Sequence, residues 1–354
     1  MDNSCDEVAW RFGAVNPSLE AASAVSIRAL VHGLYNCVDR SDPRPLAPLG
    51  HGDPSPFACF RAAAAAEEAV AAAATSGKYN SYPTAAGLTE ACSAVASYLS
   101  RYLPYELSTG DIVLTSGCNH AIEVMMAVLA TPGANVLLPR PGYPLYEARA
   151  ALSGLEFRHY DLLPEKGWEV DIEGVEALAD DNTVAIVIVN PNNPCGSVYS
   201  YEHLTKIFEA IIIYRGISVD PATIVQGAIP QIIAKTDDTF FRNAMNMMRE
   251  AAEICYQKLK GIECITCPHK PEGSMFVMVK LDMSYFEGID DDINFCTKLA
   301  KEESVVICPG SGLGMKNWLR ITFAVDPSLL EDGLERLKSF CLRHAHRKQK
   351  QVPL

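Results

Sequence analysis

The chain has 354 residues, 49% of them apolar and 21% charged, which is enough for one large or two ordinary domains and too apolar for a disordered polypeptide. Its 30 lysines and arginines against 43 acids leave a net charge of −13, which excludes a general nucleic-acid-binding surface. A small anionic ligand is not excluded, because a cup of backbone N–H groups can hold a phosphate in an acidic protein.

The opening MDNSCDEVAW lacks a basic-then-apolar leader pattern, and the alanine run Ala62–Ala74 is interrupted by Glu67 and Glu68, so a helix is expected there and no membrane span. Twelve scattered cysteines are expected to be reduced thiols in a cytoplasmic protein. Residues 1–50, punctuated by Pro17, Pro43, Pro45 and Pro48, read as an arm with one helix near 24–34. Two helices are expected between 57 and 103, flanking the loop SGKYNSYPTAAG. From residue 111 the pattern alternates, with strands at 112–115, 135–139, 155–160 and 184–190 and helices at 121–130, 143–152 and 171–179. That alternation implies a parallel sheet covered by helices, with the β-branched run VAIVIVN buried on both faces. Helix is expected over 201–213 and 221–260. An α+β remainder follows, with strands at 262–267, 274–281, 304–308 and 318–324, a helix at 290–303 and a closing helix from 327.

Three βα loops carry candidate chemistry. SGCNHA leads from a strand into a helix and presents free N–H groups to an anion, or is an ordinary turn with Asn119 as helix cap. PRPGYP offers Tyr143 at the carboxyl edge of the sheet, where open α/β folds bind ligands, or packs it as a loop aromatic. NPNNPCG offers Asn192 and Asn193 at the same edge, or is a structural turn. Convergence of all three on one ligand is the expectation. GSGLG (310–314) lacks the following helix of a nucleotide fingerprint. Cys264, Cys267 and His269 lack the second ligand pair of a zinc site.

SGKYNSYPTAAG, LTSGCNHAIE, LPRPGYPLYE, IVNPNNPCGSVY, CPHKPEGSMFVMVKL and NWLRITFA occur in one order along the chain. Together they resemble the class I pyridoxal-phosphate-dependent aminotransferases, within them the plant-like tyrosine/nicotianamine aminotransferase group. The resemblance implies an α/β fold of type I: a mostly parallel sheet with helices on both faces and a smaller α+β C-terminal domain. It implies an arm at 1–50, a cofactor-binding large domain at 51–235 and a small domain at 236–354. It implies pyridoxal 5'-phosphate held at its phosphate by Gly117, Cys118 and Asn119, stacked on Tyr143 and hydrogen-bonded by Asn193. Tyr82 would reach the phosphate of a neighbouring subunit in a homodimer. Arg320 would clamp a substrate carboxylate, and Gly52 would line the substrate pocket. The substrates implied are tyrosine or a related amino donor and a 2-oxo acid such as 2-oxoglutarate.

One part of that pattern is absent. After YSYEHLTKI the chain passes into FEAIIIYRGISVDPATIVQ, without the Ala-Asp-Glu-Val-Tyr strand, the Ser-x-Ser-Lys strand and the arginine-bearing turn. At roughly 30 residues per βαβ unit, a gap on the order of 70 residues is expected. It removes three strands between 112–115 and 184–190, the cofactor-binding lysine and the aspartate at the pyridine nitrogen. Lys206 and Lys235 read as helix-surface residues and Asp220 as a helix cap. The expectation is therefore a shortened chain that does not sustain turnover alone. The alternative is a non-catalytic form that binds the cofactor weakly without a covalent bond, or pairs with an intact relative.

Overall fold

In a computed structural model, described for residues 27–204 and 223–346, the chain forms two four-stranded sheets. The first half opens with helix α1 (Ile27–Asn36), followed by α2 (Ala64–Thr75) and α3 (Thr89–Ser100). Next come α4 (Gly117–Leu129), strand β1 (Asn135–Arg140), α5 (Leu145–Ser153) and β2 (Glu156–Leu163). β3 (Glu169–Val170), α6 (Ile172–Leu178) and β4 (Thr183–Ile186) complete this half. The strand order is β3-β2-β1-β4, with β1 parallel to both β2 and β4 and only β3 antiparallel.

Alternation along β1 covers the sheet on both faces. Val136 and Leu138 pack with Ile122 and Met126 of α4 and Ala150 of α5. Leu137 points the other way, into a larger core with Tyr160, Trp168 and Val175.

Two expected strands behave differently here. Residues 112–115 form no strand: Leu114 N–H donates to the Ala86 carbonyl, and Ile112 packs beside Cys92 and Ala96. The run 184–190 is strand only to Ile186, and residues 184–189 are half-buried at the sheet edge instead of covered on both faces, with Asn190 exposed. The cause is the same in both places. A strand needs a hydrogen-bonding neighbour on its edge, and none of the described residues supplies one beyond β4.

The second half carries α7 (Thr223–Lys235), α8 (Asp238–Lys260), β5 (Ile265–Thr266) and β6 (Phe276–Leu281). After them come α9 (Asp292–Glu303), β7 (Cys308–Pro309), β8 (Trp318–Thr322) and α10 (Pro327–Arg343). The helix expected over 221–260 is two, because Asp237 adopts extended backbone and its carboxylate accepts from the Thr239 and Phe240 N–H groups, capping α8. Its sheet is antiparallel, in the order β5-β6-β8-β7. Of the strand expected at 304–308, only Cys308 enters the sheet. Ala47 N–H donates to Ser304 and Val306 N–H to Ala47, so the early chain zips along 304–306 instead. Thr322 N–H likewise donates to Leu49. Residues 47–49 are thus bound into the C-terminal half.

GSGLG forms a tight turn between β7 and β8, tied down by the buried Asp292, which accepts from Ser311 N–H, Ser311 Oγ and Asn317 N–H. Lys206, Asp220 and most of the helix expected over 201–213 lie outside the described residues. No helix among the described residues is long and apolar enough to cross a membrane.

Candidate functional site

β1 and β4 are parallel neighbours, so the loops leaving their carboxyl ends emerge side by side. The first loop carries Tyr143 and the second Asn193. Both line a hollow of about 420 Å³ whose other walls are α1, residues 50–52, Phe276 of β6 and Arg320 of β8. Four of the eight residues named from sequence therefore meet here: Gly52, Tyr143, Asn193 and Arg320.

Arg320 dominates the electrostatics. It is only 5% exposed, and its Nη2 donates to the Gly50 carbonyl at 3.0 Å. Its Nε is buried with no hydrogen-bond partner, and no carboxylate among the described residues pairs with it. Burial pulls the guanidinium below its ordinary pKa range. An arginine stays charged nonetheless, so this is a buried cation lacking an anion. The amide oxygen of Asn193 is also buried without a partner. Both residues line the hollow, and each carries a buried polar atom left without a partner.

Gly117, Cys118 and Asn119 form the first turn of α4 and do not line the hollow. Gly117 has φ +80°, which favours glycine, and the His120 ring accepts from the Ser116 N–H at 3.1 Å. Ser116, not Asn119, is the residue at the cap position, and the Asn119 amide oxygen accepts from Arg149 at 2.8 and 3.2 Å. Tyr146 links the two places: it lies edge-on to Tyr143 at 6.4 Å, and burial, with Cys118 close by, raises its pKa. Tyr82, in the loop between α2 and α3, is 98% exposed. Asn192 is buried and serves the turn itself, accepting from Cys195 N–H while its amide donates toward Tyr199. Cys267 donates to the His269 carbonyl, and no cluster of three metal-ligating side chains occurs among the described residues.

Sequence reasoning missed Phe276, whose ring lies 4.3 Å from the Arg320 guanidinium carbon. The helix expected near 24–34 is present as α1, but its contribution of Ile27, Val31 and Tyr35 to the hollow was not foreseen. The spacing of those three on one helix face was the available signal.

The fold is that of the type I pyridoxal-phosphate-dependent transferases. It matches the crystal structure of tyrosine aminotransferase from Leishmania infantum with a TM-score of 0.83 at 24% identity, covering 96% of this chain and all of that one. Aspartate aminotransferase from Thermus thermophilus gives 0.78 at 19%, over 93% of this chain and all of that one. The chain belongs to the aminotransferases of class I and II, whose family model matches residues 45–219 and 211–337. It is 48% identical to nicotianamine aminotransferase 1 of Oryza sativa subsp. japonica over 411 aligned residues, 95% of this chain and 83% of that protein. Nicotianamine aminotransferase A of Hordeum vulgare is 47% identical, over 95% and 90%.

This family implies pyridoxal phosphate as cofactor and amino and 2-oxo acids as substrates. The residues present fit part of that cofactor. Tyr143 and the N–H end of the Asn193 amide suit its ring, and the first turn of α4 suits its phosphate. Nothing fits its aldehyde or its ring nitrogen, because no lysine, aspartate or glutamate lines the hollow among the described residues. Lys235 is exposed at the end of α7, which packs on α2 and α3.

Proposed function

We propose that the chain is an aminotransferase-family protein that binds the carboxylate of an amino or 2-oxo acid at Arg320 but does not turn it over alone. The observation that carries this reading is the buried, unpaired Arg320 in a hollow that no lysine lines among the described residues. Its guanidinium takes the carboxylate as a fork, each charged hydrogen bond contributing about 1.5–3 kcal/mol. Tyr143 offers a flat face to the cofactor ring, the Asn193 amide N–H a hydrogen bond to its phenolic oxygen, and the N–H groups of Cys118 and Asn119 a cradle for its phosphate, beside Gly117, whose own N–H donates to the Thr115 carbonyl at 2.7 Å. Gly52 lines the substrate side of the hollow. The cofactor, when bound, would supply an electron sink to the carbon it activates. Binding here is weak and non-covalent.

The amino donor of the parent enzyme is tyrosine or a nicotianamine-type compound, and the acceptor a 2-oxo acid such as 2-oxoglutarate. Kinship with the two nicotianamine aminotransferases supports that choice. The chain is a shortened, cytoplasmic form with an arm at 1–50, a reduced large domain at 51–235 and a small domain at 236–354. An alignment 411 residues long against a chain of 354, and a family match in two pieces meeting at 211–219, support the interruption. The exposure of Tyr82 favours a second role, as one half of a homodimer or of a mixed dimer with an intact relative, lending that tyrosine to the neighbour's phosphate.

Purified protein mixed with pyridoxal phosphate, tyrosine and 2-oxoglutarate should form no product at steady state. Borohydride treatment should leave its intact mass unchanged, whereas a gain of one cofactor mass would overturn the reading. Calorimetry should detect 2-oxoglutarate binding that falls at least about tenfold in Arg320→Ala. Co-expression with a full-length relative should yield a mixed dimer.

A further inference from the structure

Arg320 and Phe276 sit on neighbouring antiparallel strands. Arg320 is paired with Met278, so Phe276 lies two residues along β6 on the same face, within diagonal reach. Its buried ring lies 4.3 Å from the guanidinium carbon, the distance of a cation–π stack. The guanidinium is thus held on one face by an aromatic ring and at Nη2 by the Gly50 carbonyl, with the Nε–H unspent. A fork is useful to a planar carboxylate only if its own plane is fixed.

Gly52 bears on the same ring. A Cβ there would stand 2.2, 2.8 and 3.3 Å from Cζ, Cε1 and Cε2 of Phe276, and these are its three nearest neighbours. Gly52 is not among the glycines with positive φ, so its backbone accepts any L-residue. What forbids a side chain is therefore the Phe276 ring, whose far end can swing aside. A methyl at residue 52 would push the ring off Arg320 without straining the main chain.

We propose that Phe276 is a positioning residue that sets the plane of the Arg320 guanidinium, and that residue 52 is glycine to leave that ring its place. The inference rests on the carboxylate-binding reading of Arg320 and adds to it the stack that makes the fork rigid.

The test is a double-mutant cycle read by calorimetric titration with 2-oxoglutarate, with melting temperature followed in parallel. Phe276→Leu, which keeps apolar volume and removes the ring, should weaken binding about tenfold. Phe276→Tyr, whose added hydroxyl on Cζ would enter the same space beside Gly52, should displace the ring and weaken binding about as much. Gly52→Ala should cost about as much as Phe276→Leu, and the double variant no more than Phe276→Leu alone, because the two share one interaction.

Wild-type affinity in Phe276→Leu would overturn the proposal. So would a Gly52→Ala cost that adds in full to Phe276→Leu, which would mean that glycine makes room for the ligand and not for the ring. Should Phe276→Leu fail to fold, Gly52→Ala decides: weaker binding at an unchanged melting temperature supports the proposal, and unchanged affinity overturns it. If the parent protein does not bind 2-oxoglutarate, or Arg320→Ala binds it equally well, the carboxylate reading falls and this inference with it.

Discussion

The two sheets are built from similar sequence but meet different fates. In the C-terminal sheet β8 is buried along its whole length and β6 everywhere except Lys280. Helices α8, α9 and α10 pack around it, and Phe295 and Phe340 stack edge-on at 5.2 Å in its core. In the N-terminal sheet β4 is half-buried along one edge, and the segment Ile112–Thr115 joins no strand. IVLT and VAIVIVN are as rich in β-branched residues as LRITF, so propensity does not separate them. A pleated neighbour does: strand preference is realised only where a ladder and a packed face are both supplied.

The contrast can be broken by measurement. Phe340→Ala should cost about 3–5 kcal/mol in urea unfolding, while Val113→Ala, on an exposed side chain, should stay within about 0.5 kcal/mol. Comparable losses would mean that the two regions are equally consolidated. Gly196→Ala strikes the seam between them. Gly196 has φ +72°, a Cβ there would meet the Phe276 carbonyl oxygen at 2.4 Å, and its own carbonyl accepts from Glu272 and Gly273. A loss of about 1–3 kcal/mol is expected, with the melting temperature as readout.

Hydrogen exchange sharpens the comparison without mutation. Amides of Leu319 and Ile321 should exchange only through global opening, and those of 184–188 sooner; equal protection would contradict the open edge.

The smallest effect concerns acid. Asp180, before β4, accepts from Arg158 at 2.7 Å and from Asn135 and Asn182 at 2.9 Å, and these bonds lower its pKa to about 2. A folded pKa below the unfolded value of about 4 means stability present above pH 4 and lost as pH falls through about 2. Asp180→Asn should flatten the stability profile in that window, followed by denaturant midpoints at stepped pH.

Much of this was legible from residues alone. The strands around Leu137, Met278 and Leu319 and the helices carrying Phe295 and Phe340 stand where periodicity puts them. Residues 112–115 and 187–190 were misread because a strand's existence depends on a partner that local sequence does not describe. Tyr143, Asn193, Gly52 and Arg320 line one hollow, and three of them lie in loops with distinctive Pro, Asn and Gly content, whereas the loop at Gly117–Asn119, expected to converge with those of Tyr143 and Asn193, does not line it. Phe276 escaped notice because an aromatic residue in a strand is ordinary, and only its register against Arg320 gives it a role.

The attachment of residues 47–49 to Ser304, Val306 and Thr322 has a consequence for biosynthesis. A ribosome releases Ala47 and Leu49 long before their acceptors and donors exist. That stretch must wait, unpaired, until almost the last helix has emerged. Closure of the C-terminal half is therefore an end-of-translation event, and nascent chains halted before Ser304 should stay sensitive to protease at their beginning.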